Sequence, residues 1–569
     1  MMQAASFLRN VPVLRGLSDE LLERLAGEVA EVHVAAGDWI MREGAAADSL
    51  FIVGSGRVDV IDEGPPEILV RVLRRGDVLG ELALLREGTR SASVRARRDT
   101  ELLELGRVAF EALIQEAPSF ALGLTRAMGA QLAASRAPTT AAVPPRTIAV
   151  VGLHAAAPVA EVAEGLASAL ANHGSVARLS AGELVTIDQA ERDADRVVLR
   201  GGTAPGDEWT ELCVREAELV VAVSDGAPDA AWRERAAALQ GCELVVLGPA
   251  VTDGLLEAFR PREVQVIAEA ARRRPALEAT ARRLAGRSLG IVLSGGGARA
   301  LAHLGVLEEL TAAGLRFDRV GGVSLGSSVA AATAAGFTPE HAYEAFKRNF
   351  VDTNPANDFA LPAYSLIRGA KGRRLLDEAF GDRRIEELPL RFFCLSCDLV
   401  AREAVVHRTG PVVDAVYASA AIPGVFPPVA TTDGRLLVDG GVLDNLPVAT
   451  MARTGEGPVI AVDVTGRRGQ FKRPQRPGMA RLGRPIRRAL TGSEADIPRL
   501  GETIMRTVAV GSSDTVAAAR LHADMVITPP VDEIGLMDWK ALPLVVEIGR
   551  RAAREALAAN PDLSSRLAT

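Results

Sequence analysis

Between Gly290 and Ser328 the chain passes twice from an apolar run, through glycines, into small residues. The first pass reads GIVLSGGGARALAHLGVLEEL and the second FDRVGGVSLGSSVAAATAAGF. Two strand–turn–helix units in tandem point to an α/β fold in which strands alternate with helices across glycine turns. Such turns either cradle a phosphate or build a nucleophile and the site that receives its negative charge.

Gly322-Val323-Ser324-Leu325-Gly326 fits the second reading. A serine on a sharp strand-to-helix turn needs small neighbours, because Cβ atoms on either side would clash. The helix N-terminus beneath it favours developing negative charge. Gly295, Gly296 and Gly297 precede Arg299. Gly295-x-Gly297-x-x-Ala300 formally matches a dinucleotide fingerprint, but that needs an acidic residue at the far end of the next strand. Asp318 lies before that strand, at the wrong end. An oxyanion hole is the better reading, since consecutive glycines let amides converge on one point. Arg299 is expected to hold the loop through backbone contacts.

A histidine is the usual base for such a serine, yet none of the seven histidines has a local triad signature. Carboxylates become the candidates. RLLVDGGVLDNLPV puts Asp439 at the end of an apolar strand, where it could reach the serine from a neighbouring loop. Asp433-Gly434 reads instead as a simple hairpin turn. Cys394 and Cys397 form C-x-x-C inside an apolar strand without further ligands, so they read as core.

The 569 residues exceed one ordinary core. Three bodies are expected. Residues 7–132 open with a helix capped by Ser18, followed by short strands and glycine turns, the pattern of a small β-barrel or jelly roll. A Pro/Thr/Ala linker, RAPTTAAVPPR, follows. Residues 147–275 alternate apolar strands (TIAVVGL, RVVLRGG, ELVVAVS, CELVVLGPA) with helices, as in a parallel α/β Rossmann-like scaffold. GLHAAAPVA stands where a phosphate loop could sit but lacks Gly-Lys-Ser/Thr, so scaffold is the reading. Residues 288–569 form the third body. It is interrupted by TGRRGQFKRPQRPGMARLGRPIRRALTG, which is either a solvated loop or a basic patch facing anionic head groups. A net charge of −7 argues against nucleic acid as a partner. Four cysteines suit a reducing, cytoplasmic setting, and no apolar run is long enough to span a membrane.

GGGAR, GVSLG and DGG, in that order, resemble the motifs of the patatin-like phospholipases over residues 288–448. The likeness is closest to the neuropathy-target-esterase and lysophospholipase branch, whose tail resembles VITPPVDEIGLMDW. It implies a histidine-free pair, with Ser324 as nucleophile and Asp439 as general base. It also implies an oxyanion loop at Gly295–Gly297, no catalytic cofactor, and ASAAIPGVFPPV lining the site. Ala300 departs from the family, where glycine is common. The implied activity is carboxylic ester hydrolysis of a phospholipid or lysophospholipid, peripherally at the inner membrane face. GDVLGELALLREGTRSASVRAR resembles the phosphate cassette of cyclic-nucleotide-binding domains. Gly80, Glu81, Arg90 and Ser91 are then expected to bind cAMP or cGMP as an allosteric ligand. A fixed Arg90 fork suits phosphate oxygens and Glu81 a ribose hydroxyl. Two alternatives stay open. One is an inactive, nucleotide-responsive interaction protein. The other is a thioesterase or peptidase using the same pair.

Overall fold

The structure is a computed structural model. It describes residues 7–125, 144–465 and 513–561, apart from short breaks in the first two spans. The basic run after Thr465 and most of the Pro/Thr/Ala linker lie outside the described residues.

The N-terminal body is a jelly-roll-like pair of antiparallel sheets, as the strand pattern predicts. Ser18 caps the helix Asp19–Glu28, its hydroxyl accepting from the Leu21 amide at 3.3 Å. One sheet runs β1 (Ala30–Val34), β8 (Thr100–Gly106), β3 (Ser49–Ser55), β6 (Val78–Leu79). The other runs β2 (Trp39–Met41), β7 (Ser93–Ala96), β4 (Val58–Asp62), β5 (Ile68–Leu73). Leu50, Ile52 and Leu105 pack with Phe110 of the helix Arg107–Glu116 between sheet and helices.

The middle body is a six-stranded parallel sheet. Its order is β10 (Val176–Ser180), β11 (Arg196–Arg200), β9 (Thr147–Gly152), β12 (Leu219–Ser224), β13 (Glu243–Val246), β14 (Glu263–Val266). β9 and β12 are buried along their whole length, as a sheet covered on both faces requires. This core continues past residue 275. Leu277, Ala281 and Leu284 of the helix Arg273–Leu284 pack with Val162 and Leu166 of the helix Val159–Leu170.

The third body is an eight-stranded mixed sheet. Its path is β19 (Val429–Ala430), β20 (Leu436–Asp439), β17 (Arg391–Asp398), β16 (Arg319–Val323), β15 (Gly290–Leu293), β21 (Val459–Val462), β22 (Met525–Ile527), with β18 (Glu403–His407) also paired to β17. β15, β16, β17, β21 and β22 are mutually parallel. Both glycine turns therefore leave the carboxyl ends of adjacent strands, where α/β sheets open a crevice. The helices Ala302–Ala312 and Leu542–Ala559 pack against each other on one side.

Buried ion pairs join the bodies. Arg57 donates through Nε to Glu218 at 2.7 Å, linking the first to the middle. Arg283 pairs with Glu243 and Glu456, each at 2.9 Å, linking the middle to the third. Arg283 and Arg262, the latter 2.7 Å away, keep Glu243 charged despite full burial, holding its carboxyl far below the ordinary range.

Candidate active site

Ser324 is the one residue between β16 and the helix Leu325–Ala334. It adopts φ 55°, ψ −133°, a conformation that a residue with a side chain occupies only under constraint. The flanking glycines make this turn possible. A Cβ on Gly322 would lie 2.6 Å from the Gly326 carbonyl oxygen, and one on Gly326 would lie 2.6 Å from that of Leu293. The Ser324 carbonyl accepts from the Ser327 amide at 3.0 Å, and its amide donates to Ser419 Oγ at 3.1 Å.

Asp439 ends β20 and stands opposite Ser396 in the antiparallel pairing with β17. Its carboxyl lies within hydrogen-bonding reach of the Ser324 side chain and accepts from the Gly441 amide at 2.8 Å. Burial pushes its pKa up to about 6, while the Ser324 and Gly441 contacts pull it down. Ser324 is 5% exposed and Asp439 3%, so the pair is shielded from bulk water.

The glycine loop lies against the serine. A Cβ on Gly295 would come within 2.9 Å of Ser324 Cβ. The Gly295 amide donates to the Asn445 carbonyl and the Asn445 side-chain amide donates to the Gly295 carbonyl, both at 3.3 Å. The Ala298 amide donates to the Leu536 carbonyl at 2.8 Å. Among the described residues, the amides of Gly296 and Gly297 have no such partner. Gly297 sits at φ 53° with the Leu536 carbonyl against its α-carbon, where no side chain fits. Arg299 does not face the serine. Its Nε and a terminal nitrogen donate to the carbonyls of Ile534 and Asp532 at 2.8 and 2.9 Å, tying the loop to the segment before the last helix.

These groups share the floor of a cleft of about 1950 Å³, lined mostly by apolar side chains such as Phe346, Phe380, Ile422, Phe426 and Leu536. Ala420, Ala421, Val425 and Phe426 of the quoted ASAAIPGVFPPV stretch are among them. No histidine lines the cleft among the described residues. His303 contacts the Ser294 carbonyl through Nε2 at 2.8 Å, and His407 contacts Ser396 Oγ at 2.7 Å. Burial pushes both rings down to about 4, so both are neutral near pH 7. Asn445, Ser419 and the Asp532–Leu536 carbonyls escaped the sequence reading. Asn445 and Ser419 stand inside stretches already quoted, but nothing local marks them as partners of a loop and an elbow.

In the N-terminal body, Gly80 ends at φ +86°, and Glu81 opens the short helix Glu81–Leu85. Glu81 and Arg90 are both buried, and Ser91 beside Arg90 is exposed. The Arg90 guanidinium donates to the carbonyls of Ser49 at 2.8 Å and Gly80 at 3.3 Å. A side chain at position 80 would run into it. Burial lowers the Arg90 pKa, and the charges of Asp48, Glu104 and Glu81 oppose that shift.

Fold and sequence together define a class, a patatin-like phospholipase joined to a cyclic-nucleotide-binding domain. The patatin-like phospholipase family matches residues 291–452, and the cyclic nucleotide-binding domain family matches residues 31–117. An uncharacterized NTE family protein of Mycobacterium tuberculosis is 36% identical over 98% of this chain and 97% of its own length. The chain belongs to the NTE family. Lysophospholipase NTE1 of Coccidioides immitis is 28% identical over 92% of this chain, which spans 40% of that longer protein. The regulatory domain of Toxoplasma gondii PKA, crystallised with cAMP, is 32% identical over 20% of this chain and 43% of its own, at a TM-score of 0.19.

Proposed function

We propose that this protein is a serine hydrolase that releases fatty acid from phospholipids or lysophospholipids through Ser324 and Asp439. The observation that carries the reading is a buried carboxyl facing a serine on a strained elbow, at the floor of a large apolar cleft. Asp439 takes the hydroxyl proton as Ser324 Oγ attacks the ester carbonyl. A pKa of about 6 leaves it mostly ionised at neutral pH, yet more basic than an ordinary aspartate. The Gly296 and Gly297 amides receive the oxyanion, and Gly295 and Arg299 hold the loop that aims them. The alcohol leaves with the proton, and water then releases the acyl group from the serine.

The same proposal assigns Gly80, Glu81, Arg90 and Ser91 to a cyclic nucleotide, cAMP or cGMP, that regulates hydrolysis. Arg90 must exchange its carbonyl partners for phosphate oxygens when the ligand enters. The proposed lipid substrate places its work peripherally at a membrane surface; no helix among the described residues is long and apolar enough to cross one. The limits 7–132 and 288–569 remain as the first and third units, and 147–284 replaces 147–275 for the middle one.

Lysophospholipid hydrolysis by wild type and Ser324→Ala, each with and without cAMP or cGMP, tests both halves. Equal rates in the two proteins would sink the enzyme reading. A wild-type rate indifferent to both nucleotides would remove only the regulation.

A further inference from the structure

The serine and the carboxyl come from different strands, so something must fix their separation. One short segment touches the backbone of both. Ser419 Oγ accepts the Ser324 amide at 3.1 Å, and two residues on the Ala421 carbonyl accepts the Asp439 amide at 2.9 Å. Ser419 ends the helix Val412–Ser419 and is fully buried. Ala420 and Ala421 line the cleft, but Ser419 is not among its lining residues. Its hydroxyl also meets the buried thiol of Cys394, which stands beside Gly322 in the β16–β17 pairing. Ser419 is thus anchored to the strand next to the elbow and cannot touch substrate.

We propose that Ser419 is a positioning residue, which holds the Ser324 amide from the segment that also holds the Asp439 amide and so sets the distance between hydroxyl and carboxyl. This rests on the Ser324–Asp439 reading. The elbow conformation persists only while its surroundings fix it. Without Ser419 Oγ the Ser324 amide is left buried and unbonded, and the turn relaxes to find another acceptor. The hydroxyl then moves away from Asp439 while the cleft that binds the lipid keeps its shape.

The test is steady-state hydrolysis of a lysophospholipid and of a short-chain aryl ester by the full chain. Ser419→Ala should lower kcat about 100-fold, the scale expected when reacting groups shift by about 1 Å. KM should stay within about twofold, since binding energy is untouched. The acid limb of the rate profile should move to higher pH, because the Ser324 contact that lowers the Asp439 pKa is weakened. Ser419→Thr keeps the acceptor oxygen and should restore at least about tenfold of the loss. If the alanine variant fails to fold, Ser419→Cys, with its weaker acceptor, provides the same comparison. Unchanged kcat and acid limb beside a dead Ser324→Ala would overturn this inference alone. A raised KM at unchanged kcat would overturn it by making Ser419 a binding residue. An active Ser324→Ala would overturn the reading beneath it as well.

Discussion

The chain carries a parallel sheet and then a mixed sheet whose central strands are parallel, and the two use the same crevice differently. In the middle sheet, the turn after β9 is filled by its own side chains. A Cβ on Gly152 would meet Ala157, Thr203 and Val159 side-chain atoms within 2.8 Å, and His154 pairs with Asp225 across the carboxyl edge at 2.5 Å. In the third sheet, the turn after β16 is a strained elbow facing an open cleft. Glycine serves packing in one and leaves backbone unencumbered in the other. The sheet supplies the place, and the turn residues decide whether chemistry occurs there.

The sharpest way to break this contrast is to disable each edge in turn. Asp439→Asn should lower kcat for lysophospholipid by about 10²–10⁴-fold, the usual worth of a general base, while His154→Ala stays within about twofold of wild type. Comparable losses in both would show that the middle edge takes part in the reaction. Next comes the seam between the sheets. Arg283→Met leaves the carboxylates of Glu243 and Glu456 buried without their shared partner, which should cost about 3–5 kcal/mol in urea unfolding. A cost under about 1 kcal/mol would mean that the two sheets do not depend on this contact.

The glycines sharpen the contrast further. Gly326→Ala collides with backbone carbonyls that cannot move, whereas Gly152→Ala meets side chains that can. The first should cost about 3 kcal/mol and the second about 1 kcal/mol by the same unfolding measurement. The last comparison concerns pH. Asp439 binds its proton more tightly folded than unfolded, since its pKa rises from 3.8 to about 6. Its contribution to stability is therefore full below pH 3.8 and is lost as pH rises through 6. Asp439→Asn should be more stable than wild type at pH 8, by up to about 3 kcal/mol, and gain almost nothing at pH 3. Wild-type kcat should fall below pH 6 as the base becomes protonated.

The legible parts of this molecule were the ones whose chemistry is local. GVSLG, GGGAR and DGG each state a turn within a few residues, and the apolar runs state strands buried on both faces. Ser419 and Asn445 were not legible in their roles, because they act across 95 and 150 positions of sequence. Turn chemistry and periodicity do not encode which distant oxygen meets which amide. The same holds for Arg57 and Glu218, 161 positions apart. GGGAR marks Arg299 as a loop holder, but its anchor carbonyls lie more than two hundred positions downstream, where no local signal names them.

That last distance affects the order of events during synthesis. A ribosome exposes Ser324, Asp439 and the glycine turn well before it has made the carbonyls of Asp532, Ile534 and Leu536 that clamp the turn. Until those residues emerge, the growing polypeptide carries the family's motifs with an unbraced glycine turn. Under the proposed mechanism hydrolytic competence arrives late in translation, and a frameshift just before Asp532 would leave a product that carries the family's signatures without the clamp on its glycine turn.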